Sequence, residues 1–221
     1  MELNYHPRLF KKLEQEFNFY MNDVKILSLF PEPIFKYKFE NFKEFNIKLI
    51  SYIYDLYKND TKKDILKSNQ GGWHSKDFEI SKKDSIQNKF AISLQKYILN
   101  VCQNLGWKTE NKQIRITSMW SIINKKGDFN ITHTHPNCFL SAAYYVKASK
   151  NCGKFQVETL NQAKKYSYPE VKNKNELNAN IFSLNIEEGD LLIFPGYLPH
   201  KVSENESDED RIVISFNVDI R

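Results

Sequence analysis

At 221 residues the chain is long enough for one well-buried core, and its 32 Lys plus Arg against 27 Asp plus Glu leave a net charge of +5. The lysines are scattered through an Asn-, Ile- and Phe-rich composition, which argues for solvated faces and against a nucleic-acid groove. Cys102, Cys138 and Cys152 are odd in number and lack C-x-x-C spacing, and residues 1–22 hold no uninterrupted apolar run; free thiols in a reducing cytoplasmic compartment are expected, with no signal or membrane span.

Residues 6–21 carry apolar positions at helical spacing, with Pro7 suited to a first turn. Pro31 and Pro33 forbid a helix across 27–39 and predict an extended segment at a sheet edge. Helical periodicity returns over 41–57 (Phe42, Phe45, Leu49, Ile50, Ile53, Leu56) and over 84–105 (Phe90, Leu94, Tyr97, Ile98, Val101). Between these helices lies the loop 68–75, Ser-Asn-Gln-Gly-Gly-Trp-His-Ser, whose glycine pair lets the backbone turn tightly past another surface.

From residue 112 the pattern changes to short strands, at 113–123, 139–148, 154–158, 179–186, 191–195 and 211–220. Turns at 125–128, 151–153 and 187–190 separate most of them, while 164–178 reads as a surface loop and 204–210 as an acidic solvated turn. Many short strands with few helices predict an antiparallel sandwich or barrel of jelly-roll kind, open to a cavity at one end. The expected organisation is an N-terminal helical extension, 1–26, and a single domain, 27–221, with its β core at about 112–221.

Three of the five histidines fall into one arrangement: His133-Thr134-His135-Pro136, then His200 65 residues after His135. Side chains alternate along an extended strand, so His133 and His135 can face one ion together, and His200 closes the site from a strand following Gly189–Pro195. Imidazole ligation with open positions suits Fe(II), Zn, Cu, Ni or Mn and does not name the metal. Three unrelated surface histidines are the competing interpretation.

Arg211, Val213, Ser215 and Asn217 share one face of the last strand, and an inward Arg211 would need an anionic partner that the sequence does not place. A ligand carboxylate would serve, with Tyr145 beside it on a strand where Ser141 and Ala143 leave room. A surface salt bridge from Arg211 to Asp208, Glu209 or Asp210 is the alternative.

These residues resemble the Fe(II)- and 2-oxoglutarate-dependent oxygenases, in which a double-stranded β-helix carries His-x-Asp/Glu, a distal His and a following Arg. The segments 29–33, 68–75, 133–136 and 211–217 are similar, more narrowly, to a branch of 2-oxoglutarate oxygenases found in bacteria and phages. The resemblance spans about 27–221. It implies a double-stranded β-helix core with buttressing helices, His133 and His200 as iron ligands, and Arg211 with Tyr145 and Ser215 at the far carboxylate of 2-oxoglutarate. His135 stands where Asp or Glu is usual: either it completes a three-histidine site, or water, Asp128 or Glu158 replaces it. The implied cofactors are Fe(II), 2-oxoglutarate and O2, and the substrate is an unidentified small molecule or peptide. Trp73 and His74 would gate the site or touch substrate if their loop folds over the mouth; core packing is the equal alternative for Trp73. A three-histidine cupin-type dioxygenase that needs no oxoacid and a non-catalytic β-sandwich binding module are the competing functions, and a homodimer is left open.

Overall fold

The structure, a computed structural model, describes residues 25–166 and 169–221, and the helix expected over 6–21 lies outside them. The chain divides into two units, Met1–Pro31 and Glu32–Arg221, and every element named below belongs to the second. In order these are β1 (Phe35–Lys38), α1 (Phe42–Asn59), β2 (Asn69–Gln70), β3 (Trp73–His74), α2 (Ile86–Asn104), β4 (Ile114–Asn124), β5 (Phe129–His133), β6 (Leu140–Lys147), β7 (Phe155–Glu158), β8 (Ile181–Leu184), β9 (Asp190–Pro195), β10 (His200–Val202) and β11 (Arg211–Ile220).

Two antiparallel sheets result, in the orders β1-β9-β6-β11-β4-β3 and β2-β5-β10-β7-β8. Among the described residues the fold is mainly β with two flanking α-helices, as the strand-and-turn pattern predicts. β1 holds the edge position that the two prolines imply.

The inner strands of the larger sheet are buried on both faces, and alternation sorts them into two cores. Ala142, Tyr144 and Val146 of β6 and Ile212, Ile214, Phe216 and Val218 of β11 pack with Leu49 and Ile53 of α1 and Phe90, Leu94 and Ile98 of α2. Ala143 and Tyr145, with Leu192, Phe194 and Val213, turn the other way and meet Phe155 and Cys152. Helix α2 starts at Ser85, whose side chain accepts from the Asn88 N–H, satisfying one of the free donors of the first turn. Asn46, buried on α1, ties that helix to the sheet: its Nδ2 donates to Val146 O at 2.8 Å and its Oδ1 accepts from the Tyr144 hydroxyl at 2.6 Å.

The glycine loop differs from a simple loop. Asn69–Gln70 pairs with β5 of the smaller sheet and Trp73–His74 pairs with β4 of the larger, so 69–74 is a strap from one sheet to the other. Gly71 and Gly72 make the crossing at φ +68° and +67°, and a Cβ on Gly72 would come within 2.6 Å of Ile123 O.

Candidate metal centre and carboxylate pocket

β5 and β10 set His133 and His200 opposite each other, paired directly in register. The partner of Val202 is Asn130, so a bulge lies between these pairs and β5 carries an extra residue there. His133 Nδ1 lies 2.8 Å from Ile131 O and His200 Nδ1 2.9 Å from Leu198 O. A carbonyl only accepts, so each Nδ1 carries the proton and each Nε2 is left as a lone-pair donor to a metal.

His135 arrives by a different route from the one its spacing suggests. β5 ends at His133, so His135 lies beyond the strand, and its backbone N donates to Gly196 O at 2.8 Å. Its ring stacks on His200 with centroids 5.2 Å apart and sits 5.9 Å from Trp120. One ligand atom from each of the three histidines lies within 4.8 Å of the others, a spacing that a single ion can bridge. Among the described residues no carboxylate joins them. Asp128 accepts from Lys125 N and Glu158 from the Thr132 hydroxyl.

Burial holds all three imidazoles below the usual histidine range. Desolvation lowers His133; desolvation, then the neighbouring His133, takes His135 to about 4; desolvation and then His133 take His200 to about 3. Neutral imidazole is the ligating form.

The histidines open onto a cavity of about 490 Å³, also lined by Trp120, Asn124, Tyr145, Arg211, Val213, Ser215 and Asn217. Arg211 is fully buried, and its Nη1 donates to Cys152 O and, at 2.9 Å, to Ser203 O. Nε and Nη2 have no partner, and neither does the hydroxyl of fully buried Tyr145. The carboxylates offered by the salt-bridge alternative are engaged elsewhere: Asp208 with Lys126, Glu209 with Lys147 and Asp210 with the Tyr54 hydroxyl. Gly153 makes room for the guanidinium: a Cβ there would overlap Arg211 Nη1, and φ of +92° disfavours a side chain in any case. Burial drives the Arg211 pKa down and the Tyr145 pKa up, the cost of groups held in the interior without a counter-charge.

Ser215 lines the cavity, while Ser141 does not; its hydroxyl donates to Asn217 Oδ1 at 3.0 Å. Trp73 does not line the cavity. It is 5% exposed, packs edge-on to Tyr57, and its Nε1 donates to Asp60 Oδ2 at 2.8 Å, so core packing replaces the lid expectation for this residue. His74, one residue on, points to the opposite side and lines the cavity, stacked on Trp120 at 5.7 Å. Trp120 and Asn124 are site residues that the sequence reading missed. Period-two alternation back from Asn124 through Ile122, Trp120 and Ser118 marks the cavity face of β4, but the strand was expected to end at 123.

A protein-family model described as "Putative 2OG-Fe(II) oxygenase" matches residues 118–217, a stretch that contains His133, His135, Tyr145, His200 and Arg211. Curated protein sequences give no match. The fold is similar to that of a Pseudomonas putida prolyl-4-hydroxylase (TM-score 0.56, 12% identity, 84% of this chain and 92% of that one). It is also similar to HygX from Streptomyces hygroscopicus, solved with nickel and 2-oxoglutarate (0.59, 11%, 85% and 83%). A prolyl hydroxylase from Trichoplax adhaerens, in complex with a hypoxia inducible factor peptide fragment, aligns at 0.58 with 16% identity over 97% of this chain and 94% of that one. Residues 118–217 thus match an Fe(II)- and 2-oxoglutarate-dependent oxygenase family model, and the fold is similar to that of solved 2-oxoglutarate-dependent enzymes.

Proposed function

We propose that the chain is a hydroxylase-type oxygenase in which His133, His135 and His200 hold Fe(II) and Arg211, Tyr145 and Ser215 bind 2-oxoglutarate. One observation carries this reading: a fully buried arginine, with two donor atoms unpartnered and no carboxylate of its own, lines the same cavity as three convergent neutral histidines. The donor set fits the group. Three imidazoles suit a divalent first-row metal, and the orphaned Nε, Nη2 and Tyr145 hydroxyl suit a carboxylate. A cupin-type dioxygenase without an oxoacid would leave Arg211 uncompensated, and a binding module would not need the histidines convergent.

With Fe(II), 2-oxoglutarate and O2 bound, the site supplies oxidative decarboxylation of 2-oxoglutarate to succinate, coupled to oxidation of a substrate. The protein's part is orientation and exclusion of water. Arg211 and Tyr145 fix one end of the dicarboxylate, the carbonyls of Ile131 and Leu198 fix the imidazole tautomers, and Phe155, Phe194, Val202 and Val213 wall the cavity with apolar surface.

A small molecule or peptide is the substrate class consistent with relatives solved with hygromycin B and with a peptide fragment. Residues 27–221 act as the catalytic domain on this reading, with 1–26 an extension to it. Three cysteines without disulfides support a cytoplasmic setting. No helix among the described residues is long and apolar enough to cross a membrane. The test is anaerobic reconstitution with Fe(II) followed by melting with and without 2-oxoglutarate: the co-substrate should raise Tm in a concentration-dependent way. An unchanged Tm, with no succinate formed on admitting oxygen, would refute the assignment.

A further inference from the structure

The cavity wall holds a polar residue, Asn124, outside the metal and 2-oxoglutarate sets named above. Asn124 ends β4 directly opposite Arg211 in the β4–β11 register, is 1% exposed, and lines the cavity. Neither its Nδ2 nor its Oδ1 has a hydrogen-bond partner. The protein does not treat its other buried amides this way. Asn46, Asn69, Gln87, Asn130 and Asn205 each donate from their amide nitrogen to a nearby carbonyl or hydroxyl. Among the described residues, Asn124 alone of the buried amides is left wholly unpaired.

The fold keeps it so. The strap crosses beside Asn124 at Gly72, where a Cβ would lie 3.0 Å from Asn124 Nδ2. Its neighbours across the sheet are in the same condition: β4, β11 and β6 are adjacent strands, and they carry Asn124, Arg211 and Tyr145, with unpartnered Nδ2, Oδ1, Nε, Nη2 and Oη. An amide buried without partners bears its full desolvation penalty, and so does the guanidinium edge. A cluster of such atoms on one cavity wall is the imprint of a polar ligand.

We infer that Asn124 is a third binding residue for the co-substrate carboxylate, acting with Arg211 and Tyr145, and that Gly72 is the positioning residue that lets the strap close over it. This rests on the 2-oxoglutarate reading above. Nδ2 donates to a carboxylate oxygen. A carboxylate offers about four lone-pair sites, and Oδ1 adds one more acceptor for an Arg211 or Tyr145 donor that the carboxylate leaves over. The amide is uncharged, so it adds directionality without weakening the pull of Arg211 on the anion.

The experiment titrates 2-oxoglutarate into anaerobic, Fe(II)-loaded parent, Asn124→Ala and Asn124→Asp proteins, with iron content and ligand-free Tm measured on each. Asn124→Ala should keep its iron and bind 2-oxoglutarate about 10–100-fold more weakly, the loss of one hydrogen bond to a charged group. Its ligand-free Tm should be unchanged or higher, because two unpaired buried atoms are gone, a result that a purely structural asparagine would not give. Asn124→Asp should pair with Arg211, melt higher than the parent, and lose 2-oxoglutarate binding altogether. Affinity of Asn124→Ala within twofold of the parent, or a ligand-free Tm several degrees lower, would overturn the inference while leaving the function reading intact. A parent protein that binds iron but no 2-oxoglutarate would overturn both.

Discussion

His133 and His200 face each other across β5 and β10 with ring centroids 4.3 Å apart, and each ties its Nδ1 to the carbonyl two residues upstream, Ile131 and Leu198. The same local device is therefore used twice, once at the end of one strand and once at the start of its partner. It fixes both tautomers with Nε2 free, so the rings are set for a metal before one arrives, and little ordering entropy remains to be lost on binding.

His133→Ala and His200→Ala should each lower Fe(II) affinity by more than the ~10–100-fold typical of losing an outer-shell partner, since a ligand itself is removed. His200 is the more deeply buried of the two, so His200→Ala should also lower the Tm of the metal-free protein more. Iron content after anaerobic reconstitution checks the first expectation and thermal melts the second. Parent-like iron content in either variant would dismiss that histidine as a ligand.

Arg211→Leu should keep its iron and lose at least about 100-fold in 2-oxoglutarate affinity, because charge-assisted hydrogen bonds are lost and the anion is buried without a counter-charge. Gly153→Ala reaches the same result from a distance. Its Cβ would overlap Arg211 Nη1 and crowd Ser203 O, 2.5 Å away, so the guanidinium must shift. Weaker 2-oxoglutarate binding with full iron content is expected, along with a lower Tm from the strained φ. Titration of both variants decides whether the turn at 151–153 serves only the chain path or also seats the arginine.

That His133, His200, Arg211 and Tyr145 line one cavity was legible because each belongs to a local pattern that survives folding: strand alternation, a turn before a short apolar strand, a charged residue heading an apolar run; His135 joins them from beyond the end of β5, where alternation does not apply. The glycine pair was also legible as a close approach, though not as a strap between sheets, since two-residue strands at 69–70 and 73–74 exist only through their partners β5 and β4. For Trp73 the loop position left two uses open, and pairing in β3 decided between them by sending Trp73 to the core and His74 to the cavity. Asn124 was hidden by its neighbours. It falls between the strand expected to end at 123 and the turn expected at 125–128, and only the ladder to β11 draws it into the sheet opposite Arg211.

The metal-free protein should lose stability as pH falls. His200 and His135 protonate in the fold only near 3 and 4, whereas the unfolded chain binds protons from about 6.5 downward. Below about 6.5 the unfolded state therefore binds more protons, and the stability present above that pH is lost progressively until the folded values are reached. Melts in a chelating buffer at pH 7 and pH 5 should show the decline, and His200→Gln should flatten part of it. A parent Tm independent of pH across that range would contradict the burial of these rings.

His135 gives the sharpest test, because it stands where the resemblance implies Asp or Glu and reaches the cluster from the segment after β5 rather than from the strand itself. If it ligates, the protein supplies three neutral donors, and the loaded site keeps one more positive charge than a site with two histidines and a carboxylate. That charge attracts the 2-oxoglutarate dianion. His135→Asp should then still bind Fe(II) but hold 2-oxoglutarate less tightly than the parent, whereas His135→Ala should bind Fe(II) more weakly than either. A ring held only by stacking on His200 and by its tilted contact with Trp120 would behave otherwise: His135→Ala would bind iron like the parent, and His135→Asp would place an unsupported carboxylate in the cavity wall and melt lower. Anaerobic Fe(II) titrations of all three proteins, followed by 2-oxoglutarate titrations of the loaded forms, separate the two cases. Parent-like iron affinity in His135→Ala would reduce the protein's ligand set to His133 and His200.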